Sequence, residues 1–563
     1  MKVRLQPCCR AIAVFVVLLG AATVTAGATA TLEAKRFDAA RSVYPPTSSE
    51  WMFQLTAGQN VTMNVLRRSV KEDGKTRIVT EERKNDPRLK QFAEAVQKEP
   101  DQYNSELPFR GVFRLGDKRY GFVFDAVEPG GRSYGVLYLD RNGNGDLTDD
   151  EAIESNYREL QQRLKKEEAD AKKAKAEADM LAEEAKADPT DQVKQKKAAD
   201  QQRLALAQQR RVATMRRAMY SAGRFPRIDM QIEIDGQKTE YSFFFQVYSS
   251  LRPTVRLYSA QYYEGRIELD GKTHRVVLVD YDCNGRFDDP MTLPKVGSYR
   301  DANVPVYAVP GDRLFVDPKM VDDYRLVYDR TGPAFQHNVG KWLCFDGRCW
   351  NLNVSPAGNR ITIEPSEAAV GRVANANQRY TALVHGEQGV LKIQGTADQP
   401  AALPVGKWSL LSYLIDLTDA KADEKADAEA GDAKPAASAR SRLRRPLPKS
   451  TFVSAMATGN AKPVEIVEGQ TVEMLFGEPF TATVQAQADR SSFLRVGTAT
   501  GIAAGANITR PKQDRISLSL NLSGAGGEKI TGITVNGQRP GKPTFKILDP
   551  EGKVVQEGNF EYG

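Results

Sequence analysis

The sequence is poor in the residues that most enzymes use for metal and proton chemistry. Its 563 residues include three histidines, His274, His337 and His385. None has a ligand partner at helical spacing, which excludes the His-Glu-x-x-His zinc arrangement. No Gly-x-Ser-x-Gly nucleophile elbow occurs. Gly265-Arg-Ile-Glu-Leu-Asp-Gly-Lys-Thr273 places five residues where a phosphate loop needs four, and its interior alternates like a strand. No catalytic constellation is readable from spacing. Carboxylates are plentiful, however, and the two acids of a glycosidase need no local motif, so a secreted hydrolase stays open as an alternative.

Long apolar runs are also lacking. Beyond the first thirty residues no segment is long and apolar enough to cross a bilayer as a helix. Those thirty residues have the form of a secretory leader. Lys2, Arg4 and Arg10 precede the apolar run 11–20, and small residues end in Ala28-Thr29-Ala30. The expectation is an exported protein, secreted or held in the periplasm or envelope, cleaved near Ala30, with its fold starting after that point. Removing those three basic side chains lowers the formal net charge of +7 by three. The remainder is too small to point to nucleic acid.

Cysteine is scarce as well. Of five, Cys8 and Cys9 fall in the leader. Cys344 and Cys349 flank Phe345-Asp-Gly-Arg348, a two-residue hairpin signal. That turn puts the two cysteines at a non-hydrogen-bonded pair, with Cα atoms about 4.5 Å apart. This is within disulfide range, and an oxidising compartment favours the bond.

What the chain has in quantity is β pattern. Ile228-Asp-Met-Gln-Ile-Glu-Ile-Asp235 and Gly265-Arg-Ile-Glu-Leu-Asp270 alternate cleanly. Strands are expected at 111–115, 119–124 and 134–139, with a short helix near 87–97. The fold class is mainly β, with several β-sandwich or Ig-like modules. One β domain is expected over 31–300 and a second over 301–418, completed by strands within 450–478. A separate Ig-like sandwich is expected over 479–563.

Two stretches break this pattern. Residues 152–222 are rich in Ala, Glu, Lys and Gln. Tyr157, Leu160, Leu164, Ala171, Ala174, Ala178, Leu181 and Ala185 fall on one heptad seam, interrupted at Glu167. Ala198, Ala205, Val212, Met215 and Met219 form a second, after the turn Asp188-Pro-Thr-Asp191. These predict a coiled-coil-like antiparallel hairpin inserted into the first β domain, each arm roughly 45 Å long. It is a solvated helix pair, or an element through which copies associate. Residues 419–449 are low in apolar residues and rich in charge, which predicts a disordered linker.

The most specific motif is Asp140-Arg-Asn-Gly-Asn-Gly-Asp-Leu-Thr-Asp-Asp-Glu151. It has the twelve-residue spacing of a calcium loop, in which six to eight hard oxygens surround the ion. Asp140, Asn142 and Asn144 supply side-chain oxygens. Gly145 permits the positive-φ turn, Asp146 offers its carbonyl, Leu147 faces a core, Thr148 reaches directly or through water, and Glu151 closes the site. A strand leads in, and the start of the inserted helix is expected to lead out. A second copy, Asp280-Tyr-Asp-Cys-Asn-Gly-Arg-Phe-Asp-Asp289, offers Asp280, Asp282, Asn284, the Arg286 carbonyl and Asp288, with Asp288 or Asp289 compensating for Met291 at the closing place. Residues 108–151 and 262–291 therefore read as an internal repeat.

The runs 138–150 and 276–289, with the ending Gly558-Asn-Phe-Glu-Tyr-Gly563, resemble uncharacterised secreted proteins of planctomycete-type bacteria. The loops are similar to those of EF-hand and dockerin modules. Neither likeness implies an activity; the second implies calcium. The expectation is an exported calcium-binding protein, structural or binding, that meets a protein or polysaccharide of the envelope.

Overall fold

The computed structural model describes residues 27–38, 49–62, 65–72, 75–82, 87–131, 134–220, 225–248, 254–293, 304–321, 323–377, 379–418, 450–489 and 515–560. The expected leader through residue 26 and the expected linker 419–449 lie outside them.

The molecule is mainly β, built from antiparallel sheets and one long helical insertion. Local sequence explains much of this. In Ile228–Ile234 the four apolar side chains are buried, and the acids and amide between them are not. Asp235-Gly236, Asp270-Gly271 and Asp346-Gly347 each place two successive residues at positive φ. That is the type I′ hairpin geometry that matches strand twist. At the last of these, Phe345 pairs with Arg348 and Cys344 with Cys349. The two cysteines are disulfide-bonded, with Cα atoms 4.1 Å apart.

A first hydrophobic core draws on four sheets and runs from Ala30 to Ile363. One sheet holds Gln59–Thr62, Ile228–Ile234, Gln237–Tyr248 and Thr254–Ser259. It faces a sheet of Phe109–Leu115, Lys118–Ala126, Tyr134–Leu139 and Ile153–Glu154. Between them Phe113 meets Phe245 at 5.4 Å between ring centroids, and Phe122 meets Phe245 at 5.3 Å. Such edge and tilted pairs add to the burial of each ring, itself about 1.5–3 kcal/mol. A third sheet contains Glu33–Arg36, Gln261–Leu269, Lys272–Val279, Arg313–Val316 and Gln336–Asn338. The fourth contains Ala28–Thr31, Arg360–Pro365, Arg348–Val354 and Trp342–Phe345.

A second core, from Trp342 to Phe476, packs an eight-stranded sheet that includes Tyr380–Gly386, Gly389–Gly395, Gly406–Asp416 and Phe452–Met456. One ammonium joins the two cores. Lys392, buried in that sheet, lies 2.6–3.2 Å from the carbonyl oxygens of Thr331, Gly332, Pro333 and Gln336, in the loop that enters the third sheet.

The inserted segment forms two helices, Tyr157–Ala187 and Gln192–Tyr220, packed antiparallel. Ala171, Ala174, Ala178, Leu181 and Ala185 of the expected seam are buried, as are Ala198, Ala205 and Val212 opposite. No helix among the described residues is long and apolar enough to cross a membrane.

Three expectations are corrected. Ala28–Thr31 is a strand paired with Arg360–Pro365, so residues 28–30 belong to the fold. The boundary placed at 300 cuts a sheet, because Lys272–Val279 pairs with Arg313–Val316. The one at 479 also falls inside a sheet. Lys529–Thr534 pairs with Phe452–Met456, and Arg515–Ser523 and Thr481–Asp489 extend the same sheet. Pairing partners far apart in sequence leave no local trace, whereas loops of high turn content do.

Candidate metal centre

Both acidic loops leave the end of a strand, Tyr134–Leu139 for the first and Lys272–Val279 for the second. Their hydrogen bonding is nearly superimposable. In the first, Asp140 accepts from the backbone of Gly143 (2.8 Å), Asn144 (3.1 Å) and Gly145 (2.9 Å). In the second, Asp280 accepts from Cys283 (2.6 Å) and Gly285 (2.9 Å). The position-five asparagine accepts from the position-seven N–H in each, at 2.8 Å from Asp146 and 2.7 Å from Arg286. The same side chain donates to the tenth residue, Asn144 to Asp149 and Asn284 to Asp289, both at 2.6 Å. Gly145 and Gly285 have φ of 82° and 89°. At Gly285 a Cβ would also crowd the Ile232 side-chain tip (2.6 Å) and the backbone N of Gly116 (3.0 Å), which adds to the preference for glycine set by φ. Position eight is buried in both, as Leu147 and Phe287.

The closing residues differ from those expected. Glu151 is exposed, and Asp149 takes the place opposite Asn142 and Asn144. The reason is the exit. Ile153–Glu154 pairs back onto Tyr134–Leu139 before the helix begins at Tyr157, so the chain does not swing position twelve inward as a helix would. Thr148 donates its hydroxyl to Asp146, whose carboxylate also holds Lys98 at 2.9 Å. In the second loop Asp288 is held by Arg286 at 3.0 Å, and Asp289 closes the loop instead. The Arg286 guanidinium turns outward to Asp235 as well, at 2.9 Å, so its charge is spent away from Asp280.

One ligand candidate escaped the sequence reading. In the first loop the N–H of Arg141 is held by Asp150 at 2.8 Å. In the second, the matching N–H of Tyr281 is held by Asp312 at 2.9 Å, and Asp312 also takes the N–H of Asp289 at 2.9 Å. Asp312 comes from the start of a neighbouring strand, so no local spacing reveals it. The one hint was Met291, a closing position without an oxygen.

Asp280, Asp282 and Asp312 offer carboxylate oxygens that all lie within 4.8 Å of one another. Among the described residues this is the one group of three or more acidic, histidine or cysteine side chains gathered in this way. Asp280 and Asp312 are fully buried. The Oδ1 of Asp282 is buried and accepts no hydrogen bond. Burial pushes the carboxyls of Asp280 and Asp312 well above the ordinary range, and the mutual charge of these acids pushes further in the same direction. Burial and the charge of Asp289 raise Asp282. Tyr241 answers part of this by donating to Asp280 at 2.5 Å. A purely oxygen donor set with an orphaned buried oxygen fits a hard divalent cation, which would take the place of protons on these acids.

The first loop has a milder balance. Burial raises Asp140, and three backbone N–H groups pull it back. Asp146 is lowered to about 2 by Thr148 and then Lys98. Elsewhere, a groove of about 530 Å³ beside Trp342 is lined by Lys341, Asn351, Glu364, Ser366 and Glu367 and is open to solvent.

Neither a family model, nor a curated protein, nor a solved structure matches the chain.

Proposed function

We propose that this is an exported protein of the cell envelope or extracellular space whose β structure is stabilised by calcium, and that it acts as a binding or structural element rather than as an enzyme. The reading is carried by one observation: the convergence of Asp280, Asp282 and Asp312 around an unpartnered buried oxygen. The shared oxygen-bearing positions one, three and five of both loops support calcium over a softer ion, since these donors are carboxylates and amides. The second loop is the stronger candidate site. The first has the better motif but fewer gathered acids. Export rests on the leader pattern of the first residues. The partner class remains a protein or polysaccharide of the envelope.

In this role the ion holds strands together. The second loop already joins three neighbours. Tyr281 accepts from Gly58 at 3.0 Å, Asn284 from Gly116 at 2.7 Å, and Phe287 donates to Pro356 at 3.0 Å. The test is calorimetric titration of the mature chain with calcium chloride, together with melting in chelator and in millimolar calcium. Calcium at ten times its dissociation constant adds about 1.4 kcal/mol to the native state. Identical melting with chelator and with calcium, and no heat of binding, sinks the proposal.

A further inference from the structure

The two arms of the helical hairpin differ in charge. The first, Tyr157–Ala187, holds eight basic and eight acidic residues, whereas the second, Gln192–Tyr220, holds eight basic residues and one acid, Asp200. The first arm pairs its charges locally, as in Arg163 with Glu159 and Lys186 with Glu183. In the second, Lys194 is held by Asp188 at 3.2 Å, Arg216 by Glu168 at 2.7 Å, and Arg203 lies 3.7 Å from Asp200. Lys196, Lys197, Arg210 and Arg211 are exposed and make no ion pair among the described residues. A seven-residue repeat places these cations: Gln195-Lys-Lys-Ala198, Gln202-Arg-Leu-Ala205 and Gln209-Arg-Arg-Val212. The last residue of each is buried, Ala198 with Leu181 and Ala185, and Ala205 with Ala174 and Ala178. At 3.6 residues per turn, the second residue of each lies roughly 160° around the helix from that seam. Lys196, Arg203 and Arg210 thus form a row along the outer face, in steps of about 10.5 Å. Apart from the first arm, no described element packs broadly on this helix.

We propose that this row is the docking site for a linear acidic polysaccharide lying along the helix. The proposal names the partner of the protein described above, and it rests on that reading for export. Charge complementarity and the repeat carry it. A single turn of basic residues would serve any anion, whereas equal steps with one outward cation each suit a polymer whose acid groups recur at a fixed interval. Gln202 and Gln209 are exposed beside the row and offer amide donors and acceptors to sugar hydroxyls. Two other polyanions fit less well. A helix that lies on an anionic membrane buries an apolar face in it. The apolar seam of this arm is spent on the hairpin, and its exposed leucines, Leu204 and Leu206, lie on opposite flanks. Single-stranded nucleic acid is held by rings on which bases stack, and residues 192–216 contain no aromatic side chain.

The experiment is calorimetric titration of the mature chain, at physiological salt and in chelator, with polygalacturonate. The same chain is titrated with the fully methyl-esterified polymer, with phosphatidylglycerol vesicles and with duplex DNA. Chelator keeps calcium from bridging the polymer, and neither calcium binding nor export enters the curves, so they hold or fail apart from the reading above. Polygalacturonate should bind, more weakly as salt rises, and its uncharged ester should not. Lys196→Gln, Arg203→Gln and Arg210→Gln together should weaken binding at least tenfold. Lys165→Gln, Lys172→Gln and Lys175→Gln together remove the same charge from exposed places on the first arm and should weaken it less than twofold. Glutamine is a good helix former, so circular dichroism should show both arms intact in each variant. Absence of binding to polygalacturonate overturns the proposal, as does equal binding of the ester or equal loss in the two triple variants. Tighter binding to the vesicles or to DNA, lost in the Lys196, Arg203 and Arg210 variant, overturns it in favour of that partner.

Discussion

The two acidic loops share a backbone design and differ in where the fold puts them. The first lies at the rim, against the end of the helix Pro87–Ala95, where Gly145 accepts from Gln97 and Lys98. Its acids have local partners in Lys98 and Arg141. The second sits where several sheets meet, and its counterpart cations face outward. The better match to a motif thus has the weaker electrostatic demand. Burial, rather than spacing, sets how far the carboxyls of each loop are raised.

The largest test of this contrast removes the first acid of each loop. Asp280→Ala strands two buried N–H groups and leaves the Tyr241 hydroxyl with a long contact to the Cys283 sulfur, so a loss of about 3–5 kcal/mol is expected in urea denaturation. Asp140→Ala frees three N–H groups, two of them on the exposed residues Gly143 and Asn144 where water can replace the carboxylate, and about 1–2 kcal/mol is expected. Equal losses would break the comparison.

The next test sharpens it through calcium. If calcium binds as proposed, Asp312→Asn should abolish the proposed gain of about 1.4 kcal/mol, and Asp150→Asn should leave most of it. The readout is the difference in melting temperature between calcium and chelator. A gain that survives in Asp312→Asn would move the ion to the rim.

The pH dependence in chelator should follow the same division. Asp280, Asp282 and Asp312 have carboxyls raised in the folded state above the ordinary value of 3.8. They hold protons more tightly folded than unfolded. Their contribution is therefore favourable below 3.8 and is lost as pH climbs from there through the raised values. Melting in chelator across pH 4 to 8 should show this loss, and Asp312→Asn or added calcium should reduce it. The smallest effect is expected at Lys98→Met. That exposed ion pair should leave the melting temperature unchanged within error.

Much of this architecture could be read locally. The alternation at Ile228–Ile234, the Asp346-Gly347 turn with its cysteine pair, and the two helical arms all depend on near neighbours in sequence. So do the backbone bonds within both loops. The rest depends on contacts between distant residues. Asp312 reaches Tyr281 across an intervening segment, and the partners of Thr481–Asp489 and Lys529–Thr534 were fixed by a sheet begun well before them. Glu151 was misplaced for a subtler reason. Two residues, Ile153 and Glu154, add to the sheet by pairing too short to show as a pattern.

The Lys392 ammonium has a consequence for how the molecule comes apart. Its stem belongs to one core and all four oxygens around it to the loop feeding the other. Parting the two bodies would leave those buried carbonyls without their hydrogen-bond donor, so neither can loosen alone without cost. Heating should therefore give one cooperative transition for both, and Lys392→Met should split it into two.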